Sequence, residues 1–195
     1  MKIGVIGPTD LKVQSRVLGK SIRTLRRRAV SIGKIIAEGK HELYVNSDKG
    51  MLFAVGKAYK KHRGKELVVL LPREADPWPI DHAEPYAGQA DKVVRPPDWF
   101  RANYGVISDT DICVVVGMSL GASGELSYAR WDFKFQSHDD KPKKVIVIRE
   151  LIPNGELPLW MELPLAELLQ YIDTVGDLAQ ILRRVDFKKE PLLIY

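Results

Sequence analysis

Six short apolar runs recur along the chain, at residues 2–6, 41–45, 67–71, 112–116, 144–149 and 169–172, with a briefer seventh at 92–94. They are continuous rather than alternating, the pattern of strands buried on both faces, which is the mark of a parallel sheet. Parallel neighbours need long crossovers, so helices must lie between them. The sequence therefore predicts an α/β fold: a three-layer, doubly wound, mainly parallel sheet of about six or seven strands with helices on both faces. At 195 residues the chain supports one full core, and residues 1–195 are expected to form a single domain.

The helices carry their own signals. Leu18, Ile22, Leu25, Ala29, Ile32 and Ile36 follow spacings of four and three, which predicts one helix with an apolar stripe on the sheet and Gly39 as its stop. A second helix, basic at its end, is predicted over 51–61, and Asp98 is expected to cap a third that runs to about 107. Residues 72–97 hold six prolines and no steady period, so they read as an ordered excursion. Thr174 and Asp177 match a capping box opening a last helix, with Val175, Leu178, Ile181, Leu182 and Val185 on its apolar face.

Composition narrows the setting. No apolar run approaches the roughly 20 residues that cross a bilayer, and Met1 leads directly into the first strand-like run, so a cytoplasmic protein without a signal peptide or membrane contact is expected. One cysteine, Cys113, forms no internal disulfide, and four dispersed histidines make no zinc pattern, so no metal is expected. Asn and Gln total eight beside 55 charged residues, a bias of heat-adapted proteins. Residues 1–65 carry 16 Lys/Arg against four Asp/Glu, while residues 66–195 are net acidic. A basic half attracts a phosphate-bearing partner, or equally the acidic face of a second subunit.

In doubly wound, Rossmann-like sheets, ligands bind where the strands end, near the point at which strand order reverses. That directs attention to the loops at 7–10, 46–50, 72–76 and 117–125. The last of these, Gly117-Met118-Ser119-Leu120-Gly121-Ala122-Ser123-Gly124-Glu125, follows a buried strand and opens a helix. Glycines allow close backbone approach, and a helix N-terminus offers unpaired N–H groups to an anion. A plain strand-to-helix turn capped by Ser123 fits the same spacing. In the other loops, Gly7, Pro8 and Thr9, and Ser47, Lys49 and Gly50, are candidate phosphate contacts. Asp109 and Asp111 fall at the opposite sheet edge and read as structural.

These landmarks together resemble the Lonely Guy superfamily: Ile3-Gly4-Val5-Ile6-Gly7, Lys49-Gly50-Met51, Leu71-Pro72, Ser108-Asp109-Thr110-Asp111 and the Gly-rich loop. That superfamily includes proteins labelled "possible lysine decarboxylase", the molybdenum cofactor carrier proteins and the Rossmann domain of the DNA-processing protein DprA. The resemblance implies a Rossmann-type binder of a nucleotide (AMP-like) or another phosphate-bearing small molecule such as molybdopterin, and a homo-oligomer, a dimer or tetramer. The nucleotide-cleaving members carry Pro-Gly-Gly-x-Gly-Thr-x-x-Glu here. This chain keeps Gly121 and Glu125 but replaces the paired glycines with Met118 and Ser119 and the threonine with Ala122.

For a hydrolase of nucleoside 5'-monophosphates, the resemblance implies Glu125 as the catalytic carboxylate. Its first-turn position is expected to keep it ionised. An arginine on the preceding helix would assist; Arg101 is the candidate, about one residue out of step, with Asn103 as an alternative polar contact on that helix. The loss of the paired glycines favours a binder over an enzyme. Nonspecific nucleic-acid binding through Arg23, Arg26, Arg27, Arg28 and Lys57 to Lys65 is a further alternative.

Overall fold

The computed structural model describes residues 1–75, 79–135 and 144–187, with side chains described except at 132–135 and 185–187. Seven strands, β1 (Lys2–Ile6), β2 (Glu42–Asn46), β3 (Glu66–Leu70), β4 (Lys92–Val94), β5 (Ile112–Val115), β6 (Lys144–Ile148) and β7 (Leu169–Ile172), form one sheet in the order β4-β3-β2-β1-β5-β6-β7. Every pairing is parallel. The order reverses between β1 and β5, which pair from Ile3 with Ile112 to Ile6 with Val115.

Alternate strand residues divide the core in two. Ile3, Val5, Leu43, Val45, Leu67, Val69, Ile112 and Val114 face one helical layer. That layer contains α2 (Ile22–Glu38), α3 (Met51–Lys61) and α8 (Leu178–Phe187). Ile6, Tyr44, Val68, Leu70, Cys113, Val115, Val145 and Val147 face the other, with α5 (Trp99–Ser108), α6 (Leu120–Phe135) and α7 (Leu159–Leu165). Two apolar faces explain why the strands read as unbroken runs. Cys113 is one of these packed residues.

The expected helix through Leu18 is instead two helices. Leu18 ends a separate helix, α1 (Leu11–Leu18), where Gly19 adopts φ 62° and its N–H returns to the carbonyls of Arg16 and Ser15. Ser21 then caps α2 by accepting from Thr24 N–H. Apolar spacing continues across this corner, but the backbone turns. Asp98 accepts from Arg101 N–H at 2.8 Å, and Thr174 and Asp177 form their capping box before a 3-10 turn leads into α8, as expected. Among its described residues, the excursion after β3 contains the short α4 (Glu84–Ala87) and β4. Asp76, in the 72–76 loop, and the Val185 side chain lie outside the described residues.

At the amino edge, Asp111 accepts from Lys2 N–H at 2.8 Å, the structural role expected of it. Tyr59 is fully buried and ties α3 to two strands: its hydroxyl accepts from Glu66 N–H at 2.9 Å and faces the carbonyls of His41 and Glu66. No helix among the described residues is long and apolar enough to cross a membrane.

Candidate functional site

A cleft of about 660 Å³ opens at the carboxyl edge of the sheet, beside the β1/β5 switch point. A volume of this size suits a small organic ligand. The β1–α1 loop contributes Gly7, Pro8, Thr9 and Asp10, and α1 adds Val13 and Gln14. Asn46 at the end of β2 and Asp48 just beyond it form another side, and Met118 to Ala122 with Glu125 form the α6 side. Leu52, Pro79, His82 and Trp99 make an apolar and aromatic wall, on which the His82 and Trp99 rings stack with centroids 5.7 Å apart.

Glycines bring these loops together. At Gly117, φ is 140° and an added Cβ would fall 2.7 Å from Pro8 Cδ and 2.8 Å from Gln14 Nε2. Its bare backbone lets the β1–α1 loop pack against the β5–α6 loop. At Gly50, φ is 75° and a Cβ would fall 2.4 Å from Thr9 O. At Gly50 a side chain would have to move backbone, and at Gly117 both the positive φ and the Pro8 ring oppose one. Both glycines therefore shape the cleft from behind.

Ser119, not Ser123, caps α6: its Oγ accepts from Ala122 N–H at 3.1 Å, and the first helical turn closes from Ser123 N–H to Ser119 O at 2.9 Å. Ser123 Oγ donates to Ser119 O inside the helix. The amides of Leu120 and Gly121 precede the first intrahelical bond and stand at the positive end of the helix dipole. At the start of α1, by contrast, Asp10 spends its carboxylate on the N–H groups of Lys12 and Val13, and those amides hold its pKa below the usual range.

Glu125 lies on the cleft floor with 5% of its surface exposed. Asn46 Nδ2 donates to its Oε1 at 2.9 Å and to Asn103 Oδ1 at 2.7 Å. Burial pushes the Glu125 pKa up to about 8; the Asn46 hydrogen bond opposes this, and the nearby Asp48 charge adds to it. The expectation of an ionised, first-turn Glu125 is thus corrected twice: α6 begins at Leu120 and carries no acid in its first turn, so the dipole does little for Glu125, and loss of hydration outweighs its one amide donor. Asp48 is itself raised by burial.

The residues singled out from sequence separate into two groups. Gly7, Pro8, Thr9, Met118, Ser119, Gly121, Ala122 and Glu125 line the cleft, and Asn103 joins them. Gly117 and Gly50 support it from behind, Gly124 faces open space, and Ser123 is engaged within α6. Ser47 is buried and donates to Ala83 O at 2.7 Å, while Lys49 is exposed outside the lining. Arg101 also lies outside it, its guanidinium paired with Asp98. Sequence reasoning placed Asn46 and Asp48 inside a candidate loop without giving either a role, and passed over His82 and Trp99. A polar Asn at the carboxyl end of an otherwise apolar strand was the available signal for Asn46; nothing local marked His82 or Trp99. Among the described residues, no three His, Cys, Asp or Glu side chains are grouped to hold a metal ion.

Solved structures share this architecture. The molybdenum cofactor carrier protein of Chlamydomonas reinhardtii matches with a TM-score of 0.69 at 18% identity, covering 96% of this chain and 98% of that one. This chain has the same Rossmann-like fold. The molybdenum cofactor binding protein of Rippkaea orientalis matches at 0.65 and 16% identity, over 95% of this chain and 96% of that one. DNA processing protein A of Helicobacter pylori matches at 0.62 and 13% identity, over 95% and 81%. These neighbours fall within the superfamily that the sequence landmarks resemble, and their likeness is one of fold. No protein-family model matches the sequence, and neither does any curated protein.

Proposed function

We propose that this protein binds a phosphate-bearing small molecule, a nucleotide or a pterin cofactor such as molybdopterin, in the cleft at the carboxyl edge of its sheet. The observation that carries this reading is the first turn of α6 on the wall of a 660 Å³ cleft whose floor is Glu125. The free amides at Leu120 and Gly121 supply an anion seat. The ligand's remainder would lie toward Glu125 and the stacked His82 and Trp99 rings.

Binding is favoured over hydrolysis. Cleaving an N-glycosidic bond asks for an ionised carboxylate beside the sugar. Burial draws Glu125 away from the ionised form, and Arg101 is committed to Asp98 outside the cleft. Incubation with nucleoside 5'-monophosphates is therefore expected to release no free base.

The direct test compares 5'-AMP with adenosine by calorimetry, on the wild type and on Gly121→Asp. A Cβ at Gly121 meets only Ser119 Oγ at 3.8 Å, so the substitution fits the fold and places a carboxylate where phosphate would sit. Wild type is expected to bind the nucleotide more tightly than the nucleoside, and Gly121→Asp to remove that preference by about tenfold or more. Equal affinity of wild type for both would overturn the reading. Native mass spectrometry of freshly purified protein would identify a carried ligand.

The charge asymmetry along the chain supports a homo-oligomer in which basic and acidic faces meet, checked by sedimentation at low and high salt. The exposed Arg23, Arg26 and Arg27 on α2 support a second reading, nonspecific attraction to a nucleic-acid backbone. Such binding would vanish between low and moderate salt.

A further inference from the structure

The cleft is lined by three acidic side chains, Asp10, Asp48 and Glu125, and by no lysine or arginine among the described residues. Asp10 is occupied in capping α1. The other two stand without a basic neighbour in the lining, so nothing there offers a second anion a countercharge. A ligand seated there must instead present hydrogen-bond donors to them.

The bonding on the floor sharpens this. Glu125 Oε1 is engaged by Asn46 Nδ2, so Oε2 is the oxygen left for a ligand. A protonated Oε2 offers an O–H donor to a ring nitrogen, and an adjacent amino group then needs an acceptor beside it. Asp48, whose charge is near enough to act on Glu125, adds an acceptor. Its Oδ1 already accepts from Lys49 N–H at 2.7 Å, leaving its second oxygen. Flat walls complete the setting, with Leu52, Pro79 and the stacked His82 and Trp99 rings beside the acids. Burial and one amide donor fix where the Glu125 carboxyl points, so recognition needs little reordering.

We infer that Glu125 and Asp48 recognise the amino-bearing edge of a planar nitrogen heterocycle, making them the residues that determine which ligand the cleft accepts. The inference rests on the small-molecule reading of the cleft, but not on its phosphate seat.

Two matched pairs test it by calorimetry: adenosine against purine riboside, which lacks the amino group, and pterin against pteridin-4-one. None of these carries phosphate. The aminated member of at least one pair is expected to bind about tenfold or more tightly than its partner, because a site left with unpaired polar groups discriminates strongly. Asp48→Ala and Glu125→Leu are each expected to abolish the difference while the protein remains folded by circular dichroism. Raising the pH from neutral to about 9 is expected to weaken wild-type binding as Glu125 loses its donor proton, whereas Glu125→Gln, which cannot ionise, shows no such fall. Equal binding of both members in both pairs, or no binding of any, overturns the inference. If the amino preference holds but 5'-AMP binds no better than adenosine, the phosphate seat alone fails.

Discussion

Asn46 Nδ2 donates to Glu125 Oε1 at 2.9 Å, and the same nitrogen donates to Asn103 Oδ1 at 2.7 Å. One amide at the end of β2 thereby joins α5 and α6 across the carboxyl edge of the sheet. Its bond to Glu125 favours the ionised acid, yet burial prevails, so the floor of the cleft is a neutral carboxyl group at physiological pH.

Removing that donor tests the arrangement. Asn46→Ala leaves two buried or half-buried acceptors without their partner, and is expected to cost about 1–3 kcal/mol by denaturant unfolding. Carboxyl-carbon NMR should also find the Glu125 pKa higher still in the variant. An unchanged pKa would show that Asn46 does not act on this proton.

Glu125 links stability to pH. Its folded-state pKa, about 8, is raised from an ordinary 4.5. Its contribution to stability is present in full below the unfolded value and is lost as pH rises through the folded value, with a slope of up to about 1.4 kcal/mol per pH unit. Wild type is therefore expected to lose stability relative to Glu125→Gln between those two pKa values, and parallel melting profiles across that window would contradict the assignment.

Arg101 provides the opposite case. Its guanidinium is largely exposed and pairs with Asp98 rather than lining the cleft. Arg101→Ala should cost at most about 1 kcal/mol, as expected of an exposed pair. It should leave 5'-AMP affinity unaltered. A loss of affinity would bring Arg101 back into the site.

Gly50→Ala is expected to destabilise by about 1–3 kcal/mol, since positive φ and a 2.4 Å approach to Thr9 O both oppose a side chain. Because Met51 N–H donates to Pro8 O at 3.2 Å in the same junction, the cleft should distort with it. Thermal unfolding and nucleotide titration would read the two effects separately.

Tyr59→Phe removes a buried hydroxyl that accepts from Glu66 N–H and faces two carbonyls. Denaturant unfolding should show a loss of about 1–3 kcal/mol, because the backbone groups left behind are shielded from water.

The sequence by itself determined the layers: continuous apolar runs meant strands covered on both faces, and caps at Asp98 and Thr174 were legible because their partners lie three residues away. It also located the α6 turn, with Gly121 and Glu125, at the carboxyl edge. It did not show the corner at Gly19, since apolar spacing runs unbroken through a change of backbone direction that one left-handed residue produces. Nor did it show that Asn46 and Asp48, His82, and Trp99, from three separate segments, line one cleft with that glutamate. Only tertiary structure decided the charge of Glu125. Position in a helix is a local property, but hydration depends on every chain segment packed around the group, and here that packing outweighs the Asn46 hydrogen bond.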